Sequence, residues 1–70
     1  MSSEIPWIKN VGTVEKGSRV IKLEGKNEGK HGSVMTVKIF KQELEVAYDD
    51  QTQETASSFE FGFEPPPNET

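Results

Sequence analysis

The sequence has no cysteine, and none of its 70 residues belongs to a long apolar run. Without cysteine, a disulfide scaffold and a thiolate metal site are excluded, and the chain suits a reducing compartment. A transmembrane helix needs about 18 consecutive apolar residues, so we expect no membrane span. The N-terminus also lacks the basic start and apolar stretch of a signal peptide. The sequence therefore predicts a cytoplasmic protein.

Apolar residues are scarce, since only 31% of the chain is hydrophobic. We expect disordered tails at residues 1–4 and 65–70, the second of them proline-rich, and a single folded domain over 5–64. A domain of this size is too small to enclose a deep substrate cavity. No Ser, His and acid combination has a recognisable setting, and the only histidine has no second His or Cys to share a metal. We therefore expect no enzyme activity, no metal and no cofactor.

Period-two alternation of apolar residues, with no helical spacing, predicts an all-β fold. We expect strands over 19–23, 33–40, 44–48 and 59–64, and an exposed loop over 49–58. The third strand alternates cleanly, with Leu44, Val46 and Tyr48 facing inward. The apolar segments 5–8 and 11–14 are expected to cover an open barrel end or supply an edge strand.

The second strand changes phase within its length. Val37 and Ile39 share one face, whereas Val34 is out of phase with them. This pattern predicts a β-bulge near Met35 and Thr36. A bend at that point is what a small closing barrel needs.

The aromatic residues have two possible roles. Trp7, Phe59, Phe61 and Phe63 could stack on nucleic-acid bases, which is worth about 1 to 3 kcal/mol per base. Core filling is favoured, because a domain with few aliphatic residues needs rings that each bury roughly 150 to 250 Å².

A basic, glycine-rich loop is expected between the first two strands. Gly25-Lys26, Gly29-Lys30 and Gly32 precede Val34 and Val37 at fixed offsets. This segment, Lys16 to Val37, resembles the KOW motif of the ribosomal L24 family and the NusG and Spt5 elongation factors. The resemblance implies a small SH3-like barrel of four to five antiparallel strands that contacts RNA or a ribonucleoprotein or transcription machine without catalysis. The sequence departs from the motif at Lys22, where L24-like sequences usually have a core Val.

The loop residues predict a nucleic-acid interface. Glycines allow a sharp turn, so the loop can hold its cations on a constrained tip that suits phosphate contacts. We expect the structural glycines to be Gly25, Gly29 and Gly32, and the nucleic-acid contacts to be Lys26, Asn27, Lys30 and His31, with Arg19 and Lys16 nearby.

Charge is divided along the chain. Residues 1–41 contain all eight basic residues and four acids, and residues 42–70 contain eight acids and no Lys or Arg. Glu45, Glu60 and Glu64 are expected to face outward, away from the loop and beyond the Debye length of about 8 Å. The leading hypothesis is therefore a monomeric RNA-binding module with a separate acidic face. The alternative is a protein-interaction adaptor whose acidic face docks on a basic partner such as a polymerase, without binding nucleic acid.

Overall fold

The computed structural model describes residues 5–65, so the predicted tails at 1–4 and 65–70 lie outside the described residues, except for Pro65. The strands are β1 (Arg19–Lys22), β2 (His31–Lys38), β3 (Glu43–Tyr48), β4 (Gln53–Ser57) and β5 (Phe61–Phe63). They form one antiparallel sheet in the order β4-β3-β2-β1-β5. Two short 3₁₀ turns, Val11–Thr13 and Ser58–Glu60, complete the secondary structure of this part of the chain. The all-β prediction is confirmed, and the fold is small and barrel-like. No helix within residues 5–65 is long and apolar enough to cross a lipid bilayer.

The predicted bulge lies in β2 as expected. Val34 pairs with Val46, but the next pairing joins Thr36 to Glu45, so Met35 is an extra residue on the β2 side. The extra residue restores the inward phase after Val34, which lets the second half of β2 also pack toward the core. The strand ends at Lys38, two residues earlier than predicted.

The predicted exposed loop over 49–58 is wrong, because Gln53–Ser57 forms β4 along the free edge of β3. Glu54 pairs with Val46, and Ala56 pairs with Leu44. These two half-buried positions do alternate with exposed ones, but one carries a carboxylate and the other a methyl group. An apolar alternation was therefore not visible in the sequence, although the backbone of β3 requires a partner there.

The last strand is also shorter than the predicted strand over 59–64, because β5 comprises only Phe61–Phe63. Ser58–Glu60 is a 3₁₀ turn, which the Ser57 side chain caps by accepting a hydrogen bond from the Phe59 amide at 3.1 Å. This turn breaks the alternation, so Phe59 is 48% exposed while Phe61 is fully buried. The core-filling prediction is confirmed for Phe61 and for Phe63, which packs partly buried against the core, and is wrong for Phe59.

The N-terminal segment pairs with the outer edge of β5, which is the edge position that the sequence offered as one of its two roles. The Ile8 amide donates to the Phe61 carbonyl at 2.8 Å, and Trp7 forms a β-bridge with Gly62. Ile8 enters the core, whereas Trp7 points outward and is 42% exposed, which corrects its predicted core role. The core consists of Ile8, Val11, Val14, Val20, Val34, Leu44, Val46, Tyr48 and Phe61.

Candidate nucleic-acid interface

The glycine loop runs from Leu23 to Lys30 and is closed by backbone hydrogen bonds. The Lys22 amide donates to the Lys30 carbonyl at 2.9 Å, and the Gly29 amide donates to the Lys22 carbonyl at 2.8 Å. Gly25 and Gly29 have φ values of +82° and +91°, a backbone region that glycine adopts without strain. Both glycines therefore shape the loop.

Gly32 has a different role from the one predicted, because it is a buried residue of β2 and not part of the loop. A Cβ atom at this position would lie 2.5 Å from the Ala47 carbonyl oxygen and 2.8 Å from the Val46 side chain. His31 also belongs to β2, so the loop ends before it. Glycine is needed at position 32 for the close approach of β3.

A buried lysine lies beneath the loop. The Lys22 side chain has no solvent exposure, and its Nζ donates to the Lys26 carbonyl at 2.7 Å and to Glu54 Oε1 at 2.9 Å. Glu60 Oε1 lies 3.0 Å from the same nitrogen, and the Phe61 ring centroid lies 5.5 Å away. Burial lowers the pKa of Lys22, but hydrogen bonds to the two carboxylates outweigh it and raise the pKa above its ordinary value.

Glu54 is the acceptor that joins this lysine to the rest of the site. Its Oε1 also accepts hydrogen bonds from the Tyr48 hydroxyl at 2.6 Å and from Asn27 Nδ2 at 3.1 Å. Burial raises the pKa of Glu54, but the donors Tyr48, Lys22 and Asn27 outweigh it and lower the pKa to about 2. Glu54 is therefore a carboxylate at neutral pH, and it ties the loop to β4.

A second group of charges surrounds Arg19 at the start of β1. The guanidinium donates to both carboxylate oxygens of Asp49, at 2.8 and 2.7 Å, and to Glu64 Oε1 at 3.1 Å. His31 Nδ1 contacts the other oxygen of Glu64. Hydrogen bonds from Arg19 and then His31 lower the pKa of Glu64. Two predicted nucleic-acid residues thus share an acid within the molecule.

Lys30 is paired as well. Its Nζ lies 2.7 Å from Asp50 Oδ2 and 5.6 Å from the centroid of the Tyr48 ring. Hydrogen bonds from Lys30 and Thr52 lower the pKa of Asp50 to about 2. Lys30 is therefore held against the β3–β4 turn.

The six predicted contact residues differ in how freely they can meet a ligand. Arg19, Lys30 and His31 contact carboxylates, and Asn27 donates to one. Among the ion pairs of residues 5–65, none involves Lys16 or Lys26, and both are exposed.

The predicted separation of the acids from the predicted nucleic-acid contact residues and the loop is wrong for two of the three glutamates. Glu60 Oε1 lies 3.3 Å from the point that a Cβ atom would occupy at Gly25 of the loop. Glu64 contacts His31. The sheet order causes this, because β5 and the 3₁₀ turn before it run beside β1 and the start of the loop. Glu45 lies apart from the loop on β3, opposite Thr36 and Thr55.

The site contains two residues to which the sequence argument gave no role. Lys22 follows Val20 at an inward position of β1, and a lysine in that phase signals a buried acidic partner. Glu54 was placed in a loop, so the partner was not identified. Residues 5–65 contain no group of three or more His, Asp or Glu side chains arranged to hold a metal ion.

Apolar side chains are exposed outside the loop. Ile39 and Phe40 lie at the turn that joins β2 to β3, where the Gln42 amide donates to the Ile39 carbonyl at 3.2 Å. Ile39 is 60% exposed and Phe40 is fully exposed. Neither residue belongs to the strand in which the sequence placed it.

Comparison with protein-family models gives no match, and comparison with curated proteins gives no significant relative.

Proposed function

We propose that the protein is a non-enzymatic binding module, an SH3-like barrel of the KOW type, whose partner is another protein. One observation carries this proposal: Arg19, Lys30 and His31 each contact a carboxylate of the same molecule. A phosphate would have to compete with these carboxylates for the three side chains. The absence of cysteine is compatible with a cytoplasmic location, which is part of the proposal.

Because these side chains are already paired, we expect the electrostatic attraction between this surface and RNA to be weak. Four phosphate contacts to a single strand would give a slope of log affinity against log salt of about −2.8. If only Lys16 and Lys26 contact phosphates, the slope falls to about −1.4. The formal net charge of −4 opposes approach of a polyanion as well. A protein surface that is basic or neutral is not subject to this repulsion.

The exposed apolar side chains support a protein partner. Phe40 is fully exposed beside the half-exposed Ile39, and Lys38 and Lys41 flank them along the chain. Aromatic side chains that enter a partner's pocket supply much of the binding energy in protein interfaces. The predicted acidic face contributes less to this proposal, because Lys22 and Arg19 hold Glu60 and Glu64.

A site-specific photocrosslinker tests the proposal in cells of the source organism. A benzoylphenylalanine at position 40 should give a discrete protein adduct that is unchanged by ribonuclease. The same group at position 55, an exposed site on β4, serves as the matched control and should give no such adduct. Ribonuclease-sensitive adducts alone, or equal adducts at both positions, would contradict a protein partner.

RNA binding remains the second candidate because Lys16 and Lys26 are exposed and form no ion pair within residues 5–65. Fluorescence anisotropy with a labelled 20-nucleotide single-stranded RNA, measured over a range of salt concentrations, tests this candidate. RNA binding is supported if affinity is lost in the Lys16→Glu/Lys26→Glu variant and kept in a Lys9→Glu/Lys41→Glu control of equal charge. A slope near −2.8 would show that the paired cations also reach phosphates, and would displace the protein proposal.

A further inference from the structure

The two edges of the sheet differ. Along β5, the Ile8 amide donates to the Phe61 carbonyl at 2.8 Å, and Trp7 forms a bridge with Gly62. At the other end of the strand order, β4 pairs with β3 and with no other strand of residues 5–65. The edge at β5 is therefore covered by the N-terminal segment, whereas the outer edge of β4 is open.

The hydrogen bond that precedes β4 shows which of its backbone groups face this open edge. The Tyr48 amide donates to the Thr52 carbonyl at 2.7 Å. Hydrogen-bonded pairs of antiparallel strands recur at every second residue, so Glu54 and Ala56 also bond to β3. The amides and carbonyls of the alternate residues consequently point away from β3, at Gln53, Thr55 and Ser57.

β4 lacks the features that usually protect an open edge. Its sequence, Gln-Glu-Thr-Ala-Ser, contains no proline and no lysine, and its register with β3 has no bulge. Gln53 and Thr55 are exposed, so solvent reaches this edge. Such a strand presents a row of donors and acceptors to a second strand.

We infer that β4 pairs with β4 of a second copy of this chain, antiparallel and with a twofold axis at Thr55. In this register Thr55 faces Thr55 of the second copy, Gln53 faces Ser57, and Glu54 faces Ala56. The outward groups then form about six main-chain hydrogen bonds, two for each hydrogen-bonded pair. The inference goes beyond the proposed function, because it concerns another surface and does not require a partner at Phe40.

The charges of β4 and β3 are compatible with a second copy in this register. Glu54 is the only charged residue of β4, and it faces Ala56 and is held by Lys22 of its own chain at 2.9 Å, so no like charges oppose each other. Glu45 lies opposite Thr55 on β3, so the two Glu45 residues of the dimer are separated by three strand spacings, about 14 Å. This distance exceeds the Debye length of about 8 Å, so the net charge of −4 on each copy does not prevent the contact.

The covered edge at β5 limits the association to two copies. An interface that uses the same strand on both sides closes on itself, and the remaining edge of each copy is occupied by its own N-terminal segment. A five-residue edge buries less area than a stable dimer needs, so we expect a weak dimer that forms at high concentration.

Sedimentation equilibrium of the full chain over a range of concentrations tests the inference. We expect the apparent mass to rise from 7.8 kDa toward twice that value as the concentration approaches about 1 mM. Thr55→Pro removes an amide hydrogen that points at the second copy and keeps the hydrogen bonds to β3. Because both copies carry the change, the dissociation constant of the dimer should rise about tenfold or more. Thr55→Ala is the matched control, since it removes the side chain, keeps the amide and should still dimerise.

Two charge variants test the register without a proline. Thr55→Lys and Thr55→Glu each place like charges opposite each other, so each alone should dimerise more weakly than Thr55→Ala. An equimolar mixture of the two should recover the affinity, because opposite charges then face each other across the axis. The inference is overturned if the mass of the unsubstituted chain stays at 7.8 kDa up to about 1 mM, or if the mixture dimerises no more tightly than the separate variants. It is also overturned if a folded Thr55→Pro chain dimerises like Thr55→Ala.

The dimer and the proposed function are tested separately. A photocrosslinker at position 55 would join two copies of the chain into an adduct of twice the 7.8 kDa mass, whereas the adduct expected at position 40 contains a different protein. Failure to dimerise would therefore leave the proposed function standing, and failure of the position-40 crosslink would leave the dimer standing.

Discussion

Replacing Lys22 by methionine should destabilise the fold more than the loss of any other single cation. The side chain is unexposed, and its Nζ lies 2.7 to 3.0 Å from oxygens of Glu54, Glu60 and the Lys26 carbonyl. Methionine keeps the length of the side chain and its packing near the Phe61 ring, so the substitution isolates the charge. What remains is a half-buried pair of carboxylates without their cation.

The size of the effect follows from the partners' exposure. Removing one partner of a buried ion pair costs about 3 to 5 kcal/mol. The side chains of Glu54 and Glu60 are 17% and 35% exposed, so water can partly solvate them and the lower end applies, about 3 kcal/mol. In a domain of this size each kcal/mol lowers the melting temperature by roughly 4 to 8 °C, which gives a loss of about 12 to 24 °C.

Thermal and urea unfolding followed by circular dichroism measure this loss. Lys26→Met is the matched control, because Lys22 binds the Lys26 carbonyl and not its exposed side chain. A double-mutant cycle with Glu54→Gln should show a coupling of about 1 to 3 kcal/mol between positions 22 and 54. If Lys22→Met costs less than about 1 kcal/mol, or no more than Lys26→Met, the reasoning about the buried network is refuted.

Three further results are expected. The lowered pKa of Glu54, about 2 against an ordinary 4.5, contributes about 3 kcal/mol of stability that is present above pH 4.5 and is lost as the pH falls toward 2. A Glu54→Gln variant should therefore have a flatter profile of unfolding free energy over this range, and an unchanged slope would count against the assignment. Gly32→Ala should lower the melting temperature more than Gly29→Ala. The methyl group at position 32 would clash with the Ala47 carbonyl, whereas the one at position 29 meets no neighbouring atom and adds only the strain of a positive φ. The reverse order of melting temperatures would contradict the structure. Phe40→Ala should change the unfolding free energy by less than about 0.5 kcal/mol in urea titration, since the ring is fully exposed, and a larger loss would show that it packs within the fold.

The sequence predicted the strands whose inward residues are aliphatic. Leu44, Val46 and Tyr48 gave β3, and the phase change after Val34 gave the bulge. β4 was missed because its inward positions are Glu54, which is stabilised there by Lys22, and Ala56, whose single methyl group is a weak apolar signal. Apolar periodicity detects burial that is achieved by the hydrophobic effect, and it does not detect burial achieved by ion pairing.

The candidate site was only partly predictable for a related reason. The loop and its glycines follow from local spacing, and Gly25 and Gly29 adopt the positive φ values that such a loop requires. The partners of the cations are remote in sequence: Asp49 is 30 residues from Arg19, and Glu54 is 32 residues from Lys22. Only the strand order decides these contacts, and local patterns do not contain it.

The charge division along the chain consequently has a different physical meaning from the one that the sequence suggested. The sheet order interleaves the two halves, because β1 of the basic half lies between β2 and the acidic segment around β5. Ion pairs at the surface, such as Lys30 with Asp50, contribute little to stability because water and salt screen them, so their main effect is to neutralise the surface. The pair of Lys22 with Glu54 has an unexposed lysine and joins the end of β1 to the edge strand β4. The charge division along the chain therefore reflects ion pairing between the two halves within the fold, and it is weak evidence for binding of a polyanion.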